Sequence, residues 1–290
     1  MKIDGYTRLA AVVAHPIKHS MSPFIHNFAF DATGENGVYV AWDIQAKDLP
    51  ETLENIRRYN MYGINLSMPY KQAVLPLLDE VTPAATLIGA VNTVVLEEGR
   101  LIGYNTDGKG FFASLPNFDI QGQHMVILGS GGAATAIICQ ALLDGVKEIT
   151  VFDKPHHLEG TKKRMKGFAD QFSTVISVYS LENQEDIQHS LTHAQLLVQA
   201  TAMGMDGQSL PFSNTVQLPN NVLVADVIYQ PFETPFLKWA RAQGCQAVNG
   251  LGMLLYQAAA AFELWTGRSM PTAQLNQLLT QQIEEKEKGK

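Results

Sequence analysis

Cysteine is almost missing: the 290-residue chain carries only Cys139 and Cys245, each inside an apolar stretch and neither beside a partner motif. That excludes a disulfide framework, and two buried, reduced thiols in a cytoplasmic protein are expected. No grouping of Cys, His and acid has zinc spacing, so no metal is expected. The eight histidines are scattered, and His15 and His19 are read as structural. Positive charge is also scarce. Lys and Arg number 21 against 28 Asp and Glu, a net charge of -7, which argues against a nucleic-acid partner. No apolar run approaches the length of a membrane span and the N-terminus has no charged-then-apolar leader, so no membrane partner is expected. The chain has no G-x-S-x-G nucleophile elbow, no lysine-bearing phosphate loop, no internal repeat and no low-complexity linker.

What is present is ample core material, 46% hydrophobic residues, in a chain long enough for two domains. In the first hundred residues, strands are expected at Leu9–Ala14, Val38–Ile44 and Tyr62–Ser67. Helices are expected from Pro23 to Ala32, from Asp48 to Tyr59, and from Pro69, a residue suited to a first helical position. The alternation predicts an α/β fold whose first unit is a three-layer domain around a largely parallel sheet. A second, doubly wound unit begins after Asn105-Thr106-Asp107-Gly108, with strands at His124–Leu128, Glu148–Phe152, Leu196–Gln199 and Val222–Asp226. Helices from Leu251 to Trp265 and Thr272 to Glu285 close the chain, and the charge-mixed tail from Glu284 to Lys290 reads as a solvated, frayed end. The domains are placed at 1–106, completed by 249–290, and at 107–248.

Gly129-Ser130-Gly131-Gly132-Ala133-Ala134 follows a predicted strand and opens a predicted helix, the context that turns a weak glycine pattern into a dinucleotide fingerprint. Gly129 permits the tight turn, Gly131 lets the backbone approach a pyrophosphate, and Ala134 allows close helix–strand packing. Asp153 ends the next strand, where a carboxylate would accept a ribose hydroxyl and repel a 2′-phosphate. NAD is therefore favoured over NADP, although Lys154, His156, His157 and the run Lys162-Lys163-Arg164 would partly neutralise a phosphate.

Three polar clusters stand in the first unit. His19-Ser20-Met21-Ser22-Pro23 presents two hydroxyls ahead of a helix, a seat for a small carboxylate, and helix capping would explain Ser22 but not Ser20. Asn65-Leu-Ser67-Met-Pro-Tyr-Lys71 puts a cation in a first helical turn, which the macrodipole disfavours. Gly103-Tyr-Asn-Thr-Asp107-Gly108 puts a carboxylate at the domain border. If Lys71 and Asp107 meet, they form a proton-transfer pair, and oxidation of a carbinol needs its hydroxyl proton removed as well as its hydride.

These motifs, with Ile88-Gly-Ala-Val-Asn92-Thr93 and Asn249-Gly250-Leu-Gly-Met-Leu-Leu-Tyr-Gln257, resemble the shikimate dehydrogenases in order over nearly the whole chain. The resemblance implies a Rossmann-type cofactor domain beside a substrate domain, and reversible oxidation of shikimate to 3-dehydroshikimate. It implies catalysis by Lys71 and Asp107, and substrate contacts from Ser20, Ser22, Ser67, Lys71, Asn92, Asp107, Tyr229 and Gln257. It further implies cofactor contacts from Gly129, Gly131, Gly132, Ala133, Ala134, Asp153, Lys154, Ala202, Val227, Ile228 and Gly250. Ser67 stands where the strict biosynthetic branch has threonine, Thr135 where NADP-specific members often carry arginine, and Asn249 where aspartate is commoner. Ser67-Met68-Pro69 and Gly131-Gly132-Ala133-Ala134-Thr135-Ala136 resemble the quinate/shikimate branch, which accepts NAD and adds quinate as a second substrate. The expected partner is a small polyol carboxylate, and the expected state a monomer or homodimer. Two other readings stand beside this one: a two-domain dehydrogenase for another small metabolite such as a folate, and a non-catalytic sensor of NAD and a metabolite. Neither explains both the serine pair and the retained Lys71 and Asp107.

Overall fold

The structure, a computed structural model, describes residues 3–288. The chain divides into two compact units, Met1–Gly110 with Leu255–Gln277, and Phe111–Leu254 with Leu278–Lys290. The first opens with β1 (Arg8–Ala14), α1 (Ser22–Thr33), β2 (Gly37–Asp43), α2 (Leu49–Arg58), β3 (Gly63–Leu66) and a one-turn α3 (Tyr70–Ala73). Then come β4 (Glu80–Val81), α4 (Pro83–Ile88), β5 (Thr93–Glu97), β6 (Arg100–Tyr104) and α5 (Asp107–Ala113). The helix expected from Pro69 starts one residue later, after a cis Met68–Pro69 bond.

The first sheet has the order β2-β1-β3-β5-β6-β4. Three of its five pairings are parallel, β1 with β2 and with β3 and β4 with β6, while β5 is antiparallel to both β3 and β6. The reason is a hairpin. Glu98 and Gly99 both take positive φ, 49° and 79°, and join Glu97 to Arg100 by a two-residue turn of the kind whose twist suits a hairpin.

The second unit runs β7 (His124–Leu128), α6 (Gly132–Leu143), β8 (Glu148–Asp153), α7 (Leu158–Phe172), β9 (Val175–Ser180), α8 (Gln184–Leu191), β10 (Leu196–Gln199), β11 (Leu223–Asp226), α9 (Pro235–Ala242) and β12 (Ala247–Val248). Its sheet has the order β12-β11-β10-β7-β8-β9 with parallel pairing throughout. Every residue of β7, β10 and β11 is buried, because helices cover both faces of a doubly wound sheet. The chain order reverses between β7 and β10, and in such sheets ligands sit beyond the strand carboxyl ends at that reversal.

Two helices follow, α10 (Leu251–Thr266) and α11 (Thr272–Lys288). From Leu255 onward α10 belongs to the first unit, where Phe262 meets Phe30 at 5.1 Å between ring centroids and Trp265 donates to the Val94 carbonyl at 3.1 Å. The unit borders fall inside α5 and α10, four to six residues beyond the positions expected from motifs, and residues after Gln277 go with the second unit. The backbone of α5 explains the first shift: a Cβ on Gly110 would stand 2.4 Å from the Gln257 amide nitrogen, so the opening turn of α5 packs on α10. The tail expected to fray is helical to Lys288, and Gly289 and Lys290 lie outside the described residues. Both cysteines are buried. Among the described residues no helix is long and apolar enough to cross a membrane, and no group of His, Cys, Asp and Glu is placed to hold a metal ion.

Candidate active site

In the first unit, α3 and the start of α5 bring Lys71 and Asp107 together. Lys71 Nζ donates to Asp107 Oδ2 at 2.6 Å, both side chains being largely screened from solvent. The macrodipole objection to Lys71 falls away, because α3 is a single turn with no extended dipole to oppose the cation. Asp107 is the first residue of α5 but does not serve as its cap. The Asn105 side chain accepts from the Asp107 amide at 3.0 Å instead, leaving the Asp107 carboxylate for Lys71.

The other Asp107 oxygen, Oδ1, accepts from Asn92 Nδ2 at 2.8 Å. Asn92 Nδ2 also lies 3.5 Å from Gln257 Oε1, while Asn92 Oδ1 accepts from the Thr106 amide at 2.9 Å and from Thr93 Oγ1 at 2.9 Å. Thr106 Oγ1 reaches the Gln257 carbonyl at 3.0 Å. Four expected site residues, Lys71, Asn92, Asp107 and Gln257, are thus one hydrogen-bonded array, and Asn92, 2% exposed, is its buried centre.

The array extends through residues that sequence reasoning did not assign. Asn65 Nδ2 donates to Thr93 Oγ1 at 3.0 Å, and Tyr39 Oη donates to Asn65 Oδ1 at 2.7 Å. The Ser22 hydroxyl bonds to Tyr39 in turn, and burial raises the Tyr39 pKa far above its ordinary value. A buried asparagine in the otherwise apolar β3 was the available signal. The serine pair divides its work in the opposite sense to a simple cap: Ser20 Oγ accepts from the Ser22 amide at 3.2 Å, so Ser20 is the residue that satisfies a helix N-terminal donor. Ser22 lies inside α1 with its hydroxyl on Tyr39. Ser67 is half-buried directly after β3, its amide held by the Val13 carbonyl at 3.0 Å.

In the second unit a cavity of about 660 Å³ opens at the ends of β7, β8 and β10. Of the expected cofactor residues, Gly129, Gly131, Asp153, Lys154 and Ala202 line it. Gly129 holds φ near +100°, a conformation other residues resist, and its missing Cβ keeps 2.9 Å from the Ala200 carbonyl oxygen. A Cβ on Gly131 would meet nothing within 4 Å, and the N-terminus of α6 has no side-chain cap. That open turn backed by helix amides fits a pyrophosphate. Gly132 and Ala133 form the first turn of α6, and Ala134 is fully buried against the sheet.

Asp153 does not offer a free carboxylate. Ser130 Oγ and Thr161 Oγ1 both donate to its Oδ2, at 2.5 and 2.8 Å, and the Lys154 amide donates to Oδ1 at 2.8 Å. Burial works to raise its pKa, but the hydrogen bonds from Ser130, Thr161 and Lys154, with His157 alongside, hold it below the ordinary carboxylate range. The carboxylate is a buried strut of the glycine-rich turn.

Val227, Ile228 and Gly250 do not line that cavity. They gather past the end of β11, where the Val227 amide donates to the Gln199 carbonyl and the Gly250 amide to the Ile228 carbonyl, both at 3.0 Å. A Cβ on Gly250 would stand 2.0 Å from the Val227 carbonyl oxygen, so only glycine fits. Tyr229 follows in the same segment, and burial raises its phenol pKa. Asn249 accepts from the Leu251 amide at 3.1 Å and donates to the Phe232 carbonyl at 3.1 Å; an ionised aspartate here would lack the donor.

Comparison with known proteins bears on both units. Residues 12–94 match the shikimate dehydrogenase substrate binding domain, and residues 250–280 the shikimate 5′-dehydrogenase C-terminal domain. The shikimate dehydrogenase (NADP(+)) of Streptococcus pneumoniae is 61% identical over 284 residues, 98% of this chain and 100% of that one. The structure of shikimate 5-dehydrogenase from Listeria monocytogenes, in complex with shikimate and NAD, is 39% identical with a TM-score of 0.92, covering 96% of this chain and 98% of that one. Quinate dehydrogenase from Corynebacterium glutamicum, in complex with NAD, is 31% identical with a TM-score of 0.83, covering 95% and 99%. The expected preference for NAD is not supported, since the Asp153 carboxylate is already bonded within the turn and relatives at 60–61% identity are named for NADP(+). The identity, the coverage and the two matched segments agree, and the chain belongs to the shikimate dehydrogenase family.

Proposed function

We propose that the chain catalyses the reversible oxidation of shikimate to 3-dehydroshikimate. The array of Lys71, Asp107, Asn92 and Gln257 carries this reading. A nicotinamide dinucleotide on the second unit supplies the hydride acceptor. Ser20 and Ser22 seat the substrate carboxylate, while Ser67, Asn92 and Gln257 meet hydroxyls. Neutral donors and acceptors select a hydroxyl pattern because a mismatched substrate leaves one of them buried and unpaired.

As the hydride leaves carbon, the hydroxyl proton passes to the Lys71 amine, which returns it in the reverse direction. Asp107, 2.6 Å from that nitrogen, aims the amine and balances the charge of its protonated form. Asn92 fixes the Asp107 carboxylate from its other oxygen.

NADP serves as well as NAD, because Lys154, His156, His157 and Arg164 surround the cavity while its one acidic side chain is internally bonded. Quinate is a second, weaker substrate, in keeping with the likeness to quinate dehydrogenase. Steady-state rates with shikimate and quinate, each against NADP and NAD, test the assignment. Shikimate with NADP should be turned over, and Lys71→Ala should slow it by about 10²–10⁴-fold with the fold intact by circular dichroism. An unchanged rate in that variant removes Lys71 from the chemistry.

A further inference from the structure

The cationic wall of the dinucleotide cavity holds one residue whose position is unlike the others. Arg164 lies on α7, beyond the end of β8, and its Nη2 donates to the Ser130 carbonyl at 2.7 Å. A helix far along the chain is thereby tied to the glycine-rich turn itself. The residue nearer at hand, Thr135 on α6, is buried with its hydroxyl 3.3 Å from the same carbonyl and brings no charge. A guanidinium has five donors, so one bond to Ser130 orients the group and leaves the remainder of its fork for an anion.

We infer that Arg164 is the specificity residue that reads the 2′-phosphate of the adenosine half of NADP. This rests on the reading of NADP as a cofactor. Asp153, at the end of β8, marks where the ribose lies in folds of this kind. Its carboxylate accepts from Ser130, Thr161 and the Lys154 amide, so most of its acceptor capacity is spent inside the turn and little is left to reward a free 2′-hydroxyl. A phosphate dianion beside it needs cations on the solvent side. Arg164, Lys154, His156 and His157 stand there, and of these Arg164 alone brings a planar fork already held by the turn that faces the phosphates.

The test uses the full-length chain and two ligands that differ only by the phosphate in question, adenosine 2′,5′-bisphosphate and adenosine 5′-monophosphate, titrated by calorimetry. Wild type should bind the bisphosphate more tightly. Arg164→Ala should remove at least about tenfold of that difference, in line with one lost charge-assisted contact, weakening the bisphosphate far more than the monophosphate. Arg164→Lys, which keeps the charge but not the fork, should fall between. If Arg164→Ala keeps the full difference, or weakens both ligands equally, Arg164 only braces the turn and the inference is overturned. If wild type itself binds the two ligands alike, the reading of NADP as cofactor fails instead.

Discussion

Asp226 shows how much a single buried side chain can cost. It ends β11 at 1% exposure, accepting from Thr234 Oγ1 at 2.7 Å and from the Ile228 amide at 3.0 Å. Burial raises its pKa to about 6 from an ordinary 3.8, outweighing those two bonds. Between these two values the folded chain keeps a proton that the unfolded chain has lost. The stabilisation is therefore fully present below pH 4 and lost as pH rises through 6. Two pK units correspond to roughly 3 kcal/mol. Urea unfolding at pH 4.5 and pH 8 should show this loss in wild type and not in Asp226→Asn; equal pH dependence in both proteins would refute the assignment. The same carboxylate pins both ends of the segment carrying Val227 and Tyr229, which accounts for keeping a costly charge. Sequence gave no warning of it, because an aspartate at a strand end is common and its burial depends on Thr234 and the helix that Thr234 caps.

At the scale of the element, two glycines separate packing from binding. Gly250→Ala drives a Cβ into the Val227 carbonyl and should lower stability by about 2 kcal/mol or more, because overpacking at a backbone contact has little room to relax. Gly131→Ala meets nothing in the protein and has an ordinary φ of -70°, so it should fold as wild type yet bind NADP(H) more weakly. Thermal melts with and without NADPH distinguish the two; a destabilised Gly131→Ala with normal cofactor affinity would contradict this division. Elements buried on both faces were the most legible in the sequence. His124–Leu128 and Leu196–Gln199 read as unbroken apolar runs and are strands with those limits. The hairpin of β5 and β6 was missed because its strands are five residues each and its turn, Glu98-Gly99, departs from the commoner Asn-Gly signal. Helix α9 was missed although Thr234 and Pro235 mark its start, a cap and a first-position proline. In the site, Lys71 and Asp107 were legible as motifs, but their contact depends on the mixed sheet. Asn65, Thr93 and Tyr39 bond only across strands, which no local pattern records.

At the scale of the molecule, the first unit is built from two segments far apart in the chain, Met1–Gly110 and Leu255–Gln277. Phe262 and Trp265 of α10 are buried there, Phe262 at 0% and Trp265 at 7% exposure. Each aromatic ring of this size buries about 150–250 Å², on the order of 4–6 kcal/mol of hydrophobic stabilisation at most. Two such residues rival the whole stability of a typical domain, about 5–15 kcal/mol. A fragment of residues 1–110 should therefore show no cooperative thermal transition, and a peptide spanning 251–277 added in trans should restore one. A sharp, two-state melt of the fragment alone would show that α10 is dispensable for that fold.

The split origin of the first unit also sets an order of events during synthesis. Gln257, Phe262 and Trp265 leave the ribosome only after the intervening segment of the second unit, Phe111–Leu254, has been made. At about 5–20 residues per second the N-terminal sheet waits on the order of 7–30 s without its closing helix, its apolar face open to other nascent chains. The dinucleotide-binding sheet, complete by Val248, is therefore made whole before the first unit receives its closing helix.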